Sequence, residues 1–232
     1  SVGRVADSVQ QIAPNDEEML IAALLYSFQQ HLGIDLPEEL PEDLFEQLGE
    51  AVLQLIEGTV EMTTLHAIQA SVDLVSDLHH ENLRKMLLAM AKDVRVVVIK
   101  LATHLELMRT PGSLSEDEQI QNAQLTRNIL APLANRLGMG ALKWQLEDLA
   151  FRVLDAEAYQ SLSQQIELTR RERELYVEQA VTAIRNILAE QSITGEVSGR
   201  SKHLYSIWKK MVRKRVEVES LRSEERRVGK EC

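Results

Sequence analysis

The stretch Val94 to Thr110 limits the fold more than any other part of the chain. Val97, Leu101, Leu105 and Met108 recur at steps of four, four and three, which places them on one face of a helix. Thr103 and Leu107, also four apart, share a neighbouring face. Val96 to Ile99 are all β-branched and would also suit a short buried strand. The apolar face runs unbroken through them, so a helix is expected. A helix this apolar has to be covered on several sides, and few aromatics with plentiful Leu, Ala, Glu and Gln point to helices as the cover.

The formal charge of −10 argues against nonspecific binding to nucleic acid or anionic membranes, so no direct DNA binding is expected. No apolar run approaches the roughly 20 residues that span a bilayer, and no charged-then-apolar leader opens the sequence. A cytoplasmic protein is expected. Cys232 is the single cysteine and can form no internal disulfide, and there is no Cys/His metal-finger spacing. At 232 residues the chain can hold one large domain or one and a half ordinary ones.

Punctuation divides the rest. Pro14 closes a short first segment, and Asp16 followed by Glu17 and Glu18 reads as a capped helix start. Gly33 to Pro41 reads as an acidic loop, with a short helix near Asp43 to Leu48 and a longer one from Glu50 to about Leu65. Ala67 to Asp77 reads as a loop or weak helix, and Leu83, Met86, Leu87 and Met90 as a further helix. His66, His79 and His80 join no carboxylate cluster and are read as surface or cap residues. Pro111-Gly-Ser113 ends the central helix, and Ser115 to Glu118 is a capping box that starts the next. Gly138-Met-Gly140 reads as a tight corner that Trp144 packs across, with Asn135 and Arg136 holding it by hydrogen bonds. Ala156 to Glu190 is read as a charged helix pair. Its amphipathic spacing would allow a dimer seam, but Leu162, Ile166, Leu175, Val177, Ala180, Ile184 and Leu188 keep no clean heptad. Thr194 to Gly199 reads as a short strand.

Lys100-Leu-Ala-Thr-His-Leu-Glu-Leu-Met-Arg-Thr110 resembles a segment of the RelA/SpoT family, the enzymes that make and break the alarmone (p)ppGpp. Ala22-Ala-Leu-Leu-Tyr-Ser-Phe-Gln-Gln-His31, Asn82 to Met90 and Asn128 to Phe151 resemble further parts of the same family. The resemblance implies that Thr103 stands where hydrolysing members have a metal-binding Asp, and Leu107 where they have a nucleotide-holding Asn. Tyr26 and Ser27 stand in place of a metal-binding His-Asp pair, and Gln30 and His31 in place of the Glu-Asp pair that activates water. The remaining metal His would fall near residue 2, and no His precedes His31. No metal is therefore expected here, since neutral hydroxyls do not suit a Mn²⁺-type centre.

Gly199-Arg-Ser-Lys-His-Leu-Tyr-Ser-Ile-Trp-Lys-Lys-Met211 is similar to the opening of the family's synthetase domain. That similarity assigns Arg200, Lys202, Ser206 and Lys210 to the phosphates of an ATP donor. A glycine turn, cations and a hydroxyl at a helix start suit an anion. Ser201 departs from the family's usual Pro. The likeness fades after Glu219, before the Asp that would bind Mg²⁺ and the Glu that would act as base.

The fold class expected is mainly α. A degenerate, N-terminally truncated HD domain spans 1–154 and linking helices span 155–192. The first strand and helix of an α+β nucleotidyltransferase-like synthetase domain span 193–219, and a non-native tail spans 220–232. The resemblance implies a synthetase moving pyrophosphate from ATP to the 3′-hydroxyl of GTP or GDP with Mg²⁺, regulated by the ribosome with uncharged tRNA through regions not in this chain. No catalytic residue is expected within the chain itself. A bifunctional synthetase/hydrolase and a purely regulatory helical module are the alternatives.

Overall fold

The computed structural model describes residues 2–33, 47–70, 93–167, 170–199 and 202–216. It divides into two compact units, residues 1–154 and 155–232. In the first lie α1 (Val2–Ile12), α2 (Glu17–Leu32), α3 (Glu50–Ala70), α4 (Val94–Arg109), α5 (Glu116–Leu125), α6 (Ala131–Arg136) and α7 (Gly140–Leu154). In the second lie α8 (Ala156–Glu167), α9 (Arg170–Glu190) and α10 (Leu204–Lys214). The calls on residues 34–46 and 71–92, the expected helix over Leu83 to Met90 among them, lie outside the described residues, as do Arg200, Ser201 and 217–232.

The central helix is α4. Val97, Leu101, Leu105 and Met108 are all buried, and so are Val96, Val98 and Ile99. Helices α1, α2, α3, α5 and α7 pack on it. The β-branched run stays helical because burial outweighs the few tenths of a kcal/mol of propensity against it; each buried Val or Leu contributes about 1.5–3 kcal/mol.

One arginine ties two helix starts together. Asp93 caps α4 by accepting the Arg95 backbone N–H at 2.9 Å, and Asp16 caps α2 by accepting that of Met19 at 2.9 Å. The Arg95 guanidinium lies 2.7 Å from Asp93, 2.9 Å from Glu18 and 3.6 Å from Asp16. The hydrogen bond from Arg95 holds the Asp93 carboxyl below the usual carboxylate range.

The capping box at Ser115 forms as expected, with Glu118 Oε2 accepting the Ser115 N–H at 2.8 Å. The helix it opens is not uniform. Residues Thr126–Leu130 form a π-turn, closed by the Ala131 N–H on Thr126 O. Pro132 supplies the reason: it has no N–H to donate and its ring crowds the preceding turn, so the helix widens ahead of it. The corner after α6 is a Schellman turn, with Met139 N–H on Ala134 O at 2.9 Å and Gly138 N–H on Asn135 O at 3.1 Å. Gly138 takes φ +75° there, which only glycine adopts without strain. Trp144 packs over the corner as expected, its ring so close to Gly140 that a Cβ there would lie 3.3 Å away.

Two expectations need correction. Helix α3 runs on to Ala70, past the expected end near Leu65. Thr194 to Gly199 is not a strand; there is no strand among the described residues. Without a neighbour to form a ladder, the segment lies along α9 instead. Arg185 Nη2 donates to Val197 O at 2.8 Å. A Cβ on Gly199 would meet Val177 Cγ1 at 2.8 Å and Val181 Cγ2 at 2.9 Å, so only glycine fits that approach.

Candidate functional site

In the first unit, α2 and α3 bring together Tyr26, Thr59 and Thr63. Tyr26 is 1% exposed, and its Oη lies 2.7 Å from Thr63 Oγ1. Thr63 Oγ1 donates its own hydrogen to Thr59 O at 2.8 Å, so Tyr26 donates to Thr63. Burial raises the Tyr26 pKa, and the bond to Thr63 opposes that rise. A neutral phenol is thus locked facing another hydroxyl.

The other hydroxyls turn back on their own helices. Ser27 Oγ donates to Ala23 O at 2.6 Å, and Thr59 Oγ1 donates to Leu55 O at 2.7 Å. Thr103 Oγ1 lies 3.0 Å from both Ile99 O and Lys100 O. Gln30 and His31 are exposed on the last turns of α2, and Leu107 is half-buried on α4. Tyr26, Ser27 and Thr103 therefore offer neutral oxygens already committed to protein partners. A Mn²⁺-type centre needs carboxylate or imidazole donors, and this set does not fit one. Beside it, burial pulls the Lys100 ammonium down to about 8.

Sequence reasoning missed Thr59 and Thr63, although their spacing of four on α3 is a visible signal. It also missed two buried polar groups on α4. His104 Nε2 lies 2.7 Å from Thr126 Oγ1, and Thr126 Oγ1 donates to Asn122 O at 2.6 Å, so the His104 ring donates through Nε2. Glu106, 3% exposed, accepts from Arg109 through Oε1, and Arg109 also donates to Gln145 on α7. Its Oε2 lies 3.2 Å from Arg4 Nε on α1, an ion pair without hydrogen-bond geometry. These contacts link α1, α4 and α7. Asn135 accepts from Lys143 at 3.3 Å across the Gly138 corner.

In the second unit, α10 has two distinct faces. Tyr205, 9% exposed, stacks on Trp208 with centroids 5.7 Å apart, and α10 packs against α8. Helical spacing turns Ser206, Lys210, Arg213 and Lys214 away from Tyr205, while Lys209, one turn on, shares its face. Lys209 Nζ sits 5.3 Å from the Tyr205 ring centre. Lys202 lies just before the helix, and His203 takes its N-cap position without a side-chain cap bond. Ser206 and Lys210, one turn apart, are both half-buried.

The family profile described as an HD domain matches residues 2–140. GTP pyrophosphokinase of Escherichia coli K12 is 41% identical over 174 residues, 75% of this chain and 23% of that protein. GTP pyrophosphokinase of Photobacterium angustum S14 is 35% identical over 210 residues, 89% of this chain and 27% of that protein. A probable guanosine-3′,5′-bis(diphosphate) 3′-pyrophosphohydrolase of Synechocystis is 37% identical over 197 residues, 84% of this chain and 25% of that protein. The chain thus spans about a quarter of the length of these relatives. No described helix is long and apolar enough to cross a membrane. With its helical core, its HD-domain match and these relatives, the chain belongs to the RelA/SpoT family and carries that family's HD domain.

Proposed function

We propose that this chain serves a (p)ppGpp synthetase, with an HD domain that keeps the hydrolase fold and has lost its chemistry. The observation that carries the reading is the state of Tyr26, Ser27 and Thr103. Each is a neutral hydroxyl bonded within the protein, at positions where metal ligands would be required. The 3′-pyrophosphohydrolase relative favours a second reading, a bifunctional synthetase/hydrolase. The same three residues oppose it, because no general base or metal-bound water can be generated from them.

The synthetic role rests on α10 and the residues before it. Lys202, Ser206 and Lys210, with Arg200, hold the phosphates of ATP, as the family resemblance implies. The similarity to the Photobacterium GTP pyrophosphokinase is longer than the HD match and supports extending the assignment past residue 140. Pyrophosphate then moves to the 3′-hydroxyl of GTP or GDP. Such transfer needs a metal and an aligned acceptor. The matching Asp and Glu are not among these residues, so the 232-residue chain makes no alarmone by itself.

The test is steady-state kinetics with ATP varied, on a protein of the relatives' full length that contains this chain. Lys202→Ala and Lys210→Ala should each lower catalytic efficiency roughly tenfold to a hundredfold, the effect of losing a charge-assisted contact. Unchanged efficiency in both folded variants would reduce the basic face to ordinary solvated surface.

A further inference from the structure

Lys100 stands apart from the other cations of the first unit. Arg4, Arg95 and Arg109 sit on carboxylates, Lys143 donates to Asn135, and Arg152 donates to the Met108 carbonyl. Arg127 and Arg136 are engaged as well. Lys100 has no hydrogen bond or ion pair among the described residues, and burial alone acts on its ammonium. It is half-buried on α4, between Ile99 and Leu101, which are fully buried. The residues one turn away, Val96, Val97, Thr103 and His104, offer no carboxylate. The acids at either end of α4 are taken, Asp93 by Arg95 and Glu106 by Arg109. On α1, α2, α3, α5 and α7, the helices packed against α4, no described acid pairs with Lys100.

Half burial without a counter-ion favours the neutral amine. A desolvated lysine amine is a nucleophile near neutral pH, whereas a solvated ammonium is not. With its pKa pulled down to about 8, roughly a tenth of the side chains are free amine at pH 7, against less than about a thousandth for an ordinary lysine. Nucleophilicity falls along with basicity, which leaves a net advantage of roughly tenfold over a solvated lysine. The side chain still reaches solvent, so a donor can approach it.

We propose that Lys100 is an acylation site, taking acyl groups from thioester donors. The neutral Nζ attacks the thioester carbonyl carbon. The C–N bond forms, the C–S bond breaks, and the thiolate leaves with the proton shed by nitrogen. No oxidant, reductant or catalytic base is needed. The product is an uncharged amide, which removes the ion that burial disfavours. Anion binding fits the same position less well, because it calls for several free donors around the cation. The Thr103 hydroxyl is committed to the Ile99 and Lys100 carbonyls, and His104 Nε2 is bonded to Thr126.

The probe is acetyl-coenzyme A, incubated near neutral pH with the folded 232-residue chain, with acetylation at each lysine followed by peptide mass spectrometry. Exposed Lys209 and Lys214 are references within the same molecule. Lys100 should react roughly tenfold faster than either. Its rate should level off above about pH 8. In concentrated urea the advantage should vanish, because it depends on burial. Thr103→Asp sets a carboxylate one turn from Lys100, holds the ammonium charged, and should slow Lys100 about tenfold with both references unchanged. Should that variant not fold, the wild-type rates in buffer and in urea decide. Lys100 reacting no faster than Lys209 and Lys214 overturns the proposal. So does an advantage that persists in urea, or a rate that Thr103→Asp leaves intact in a folded chain.

Discussion

Tyr26 donates its buried hydroxyl to Thr63 Oγ1 at 2.7 Å, and that bond fixes what the surrounding site can do. The hydroxyl chain passes from α2 to α3 and ends on the carbonyl of Thr59. A position at which the family resemblance implies a metal-binding His is here part of the packed interior.

Tyr26→Phe should therefore lower stability by about 0.5–1.5 kcal/mol, the net value of one hydrogen bond. The ring keeps its packing, and Thr63 keeps its bond to Thr59. Urea denaturation measures the change. A loss above about 3 kcal/mol would mean that the hydroxyl supports more than this single contact.

Glu106→Ala should cost more, about 1–3 kcal/mol, because Arg109 loses its carboxylate partner but keeps Gln145 and about a third of its exposure to solvent. Arg4 is half exposed and its pair with Glu106 is screened, so Arg4→Ala should cost about 1 kcal/mol or less. Chemical denaturation of the two variants side by side checks the ranking. Equal losses would place the strength of the cluster at α1 instead of at Arg109.

Lys100→Met should stabilise the chain at neutral pH by about 1–3 kcal/mol, discounted because Lys100 keeps some contact with solvent. Burial lowers its pKa from 10.5 to about 8 in the folded state. Below pH 8 both states carry the charge, and the cost of burying it is constant. Between about pH 8 and 10.5 the folded state has released the proton and the unfolded state retains it. Unfolding then takes up a proton, so this residue's contribution rises with pH across that window. The advantage of the Met variant should shrink over the same range. Thermal melts of both proteins from pH 6 to 10.5 test it, and a pH-independent difference would contradict it.

Much of the fold was legible because its signals were local. Asp16 and the Ser115 box sit where caps are needed, and Val97, Leu101, Leu105 and Met108 carry the period of the central helix. The π-turn was not legible, since it depends on how Pro132 is accommodated within a continuing helix. Thr194 to Gly199 has the composition of a strand, but strand formation needs a partner that no local pattern can supply. At the site, Tyr26, Ser27 and Thr103 could be read only through the family resemblance, one position at a time. That Thr63 would take up the Tyr26 hydroxyl could not be read, because the two lie 37 residues apart. Glu106 was hidden for a similar reason: its partners come from α1 and from its own next turn, inside a helix that reads as apolar.

The most direct test of a chemically silent HD domain is incubation of the purified chain with ppGpp and Mn²⁺, following pyrophosphate release. Release should equal that of a control without protein, because Tyr26, Ser27 and Thr103 supply neither metal ligand nor base. Release at enzymatic rates, abolished by chelation of the metal, would show that hydrolysis proceeds through other residues and would contradict the account.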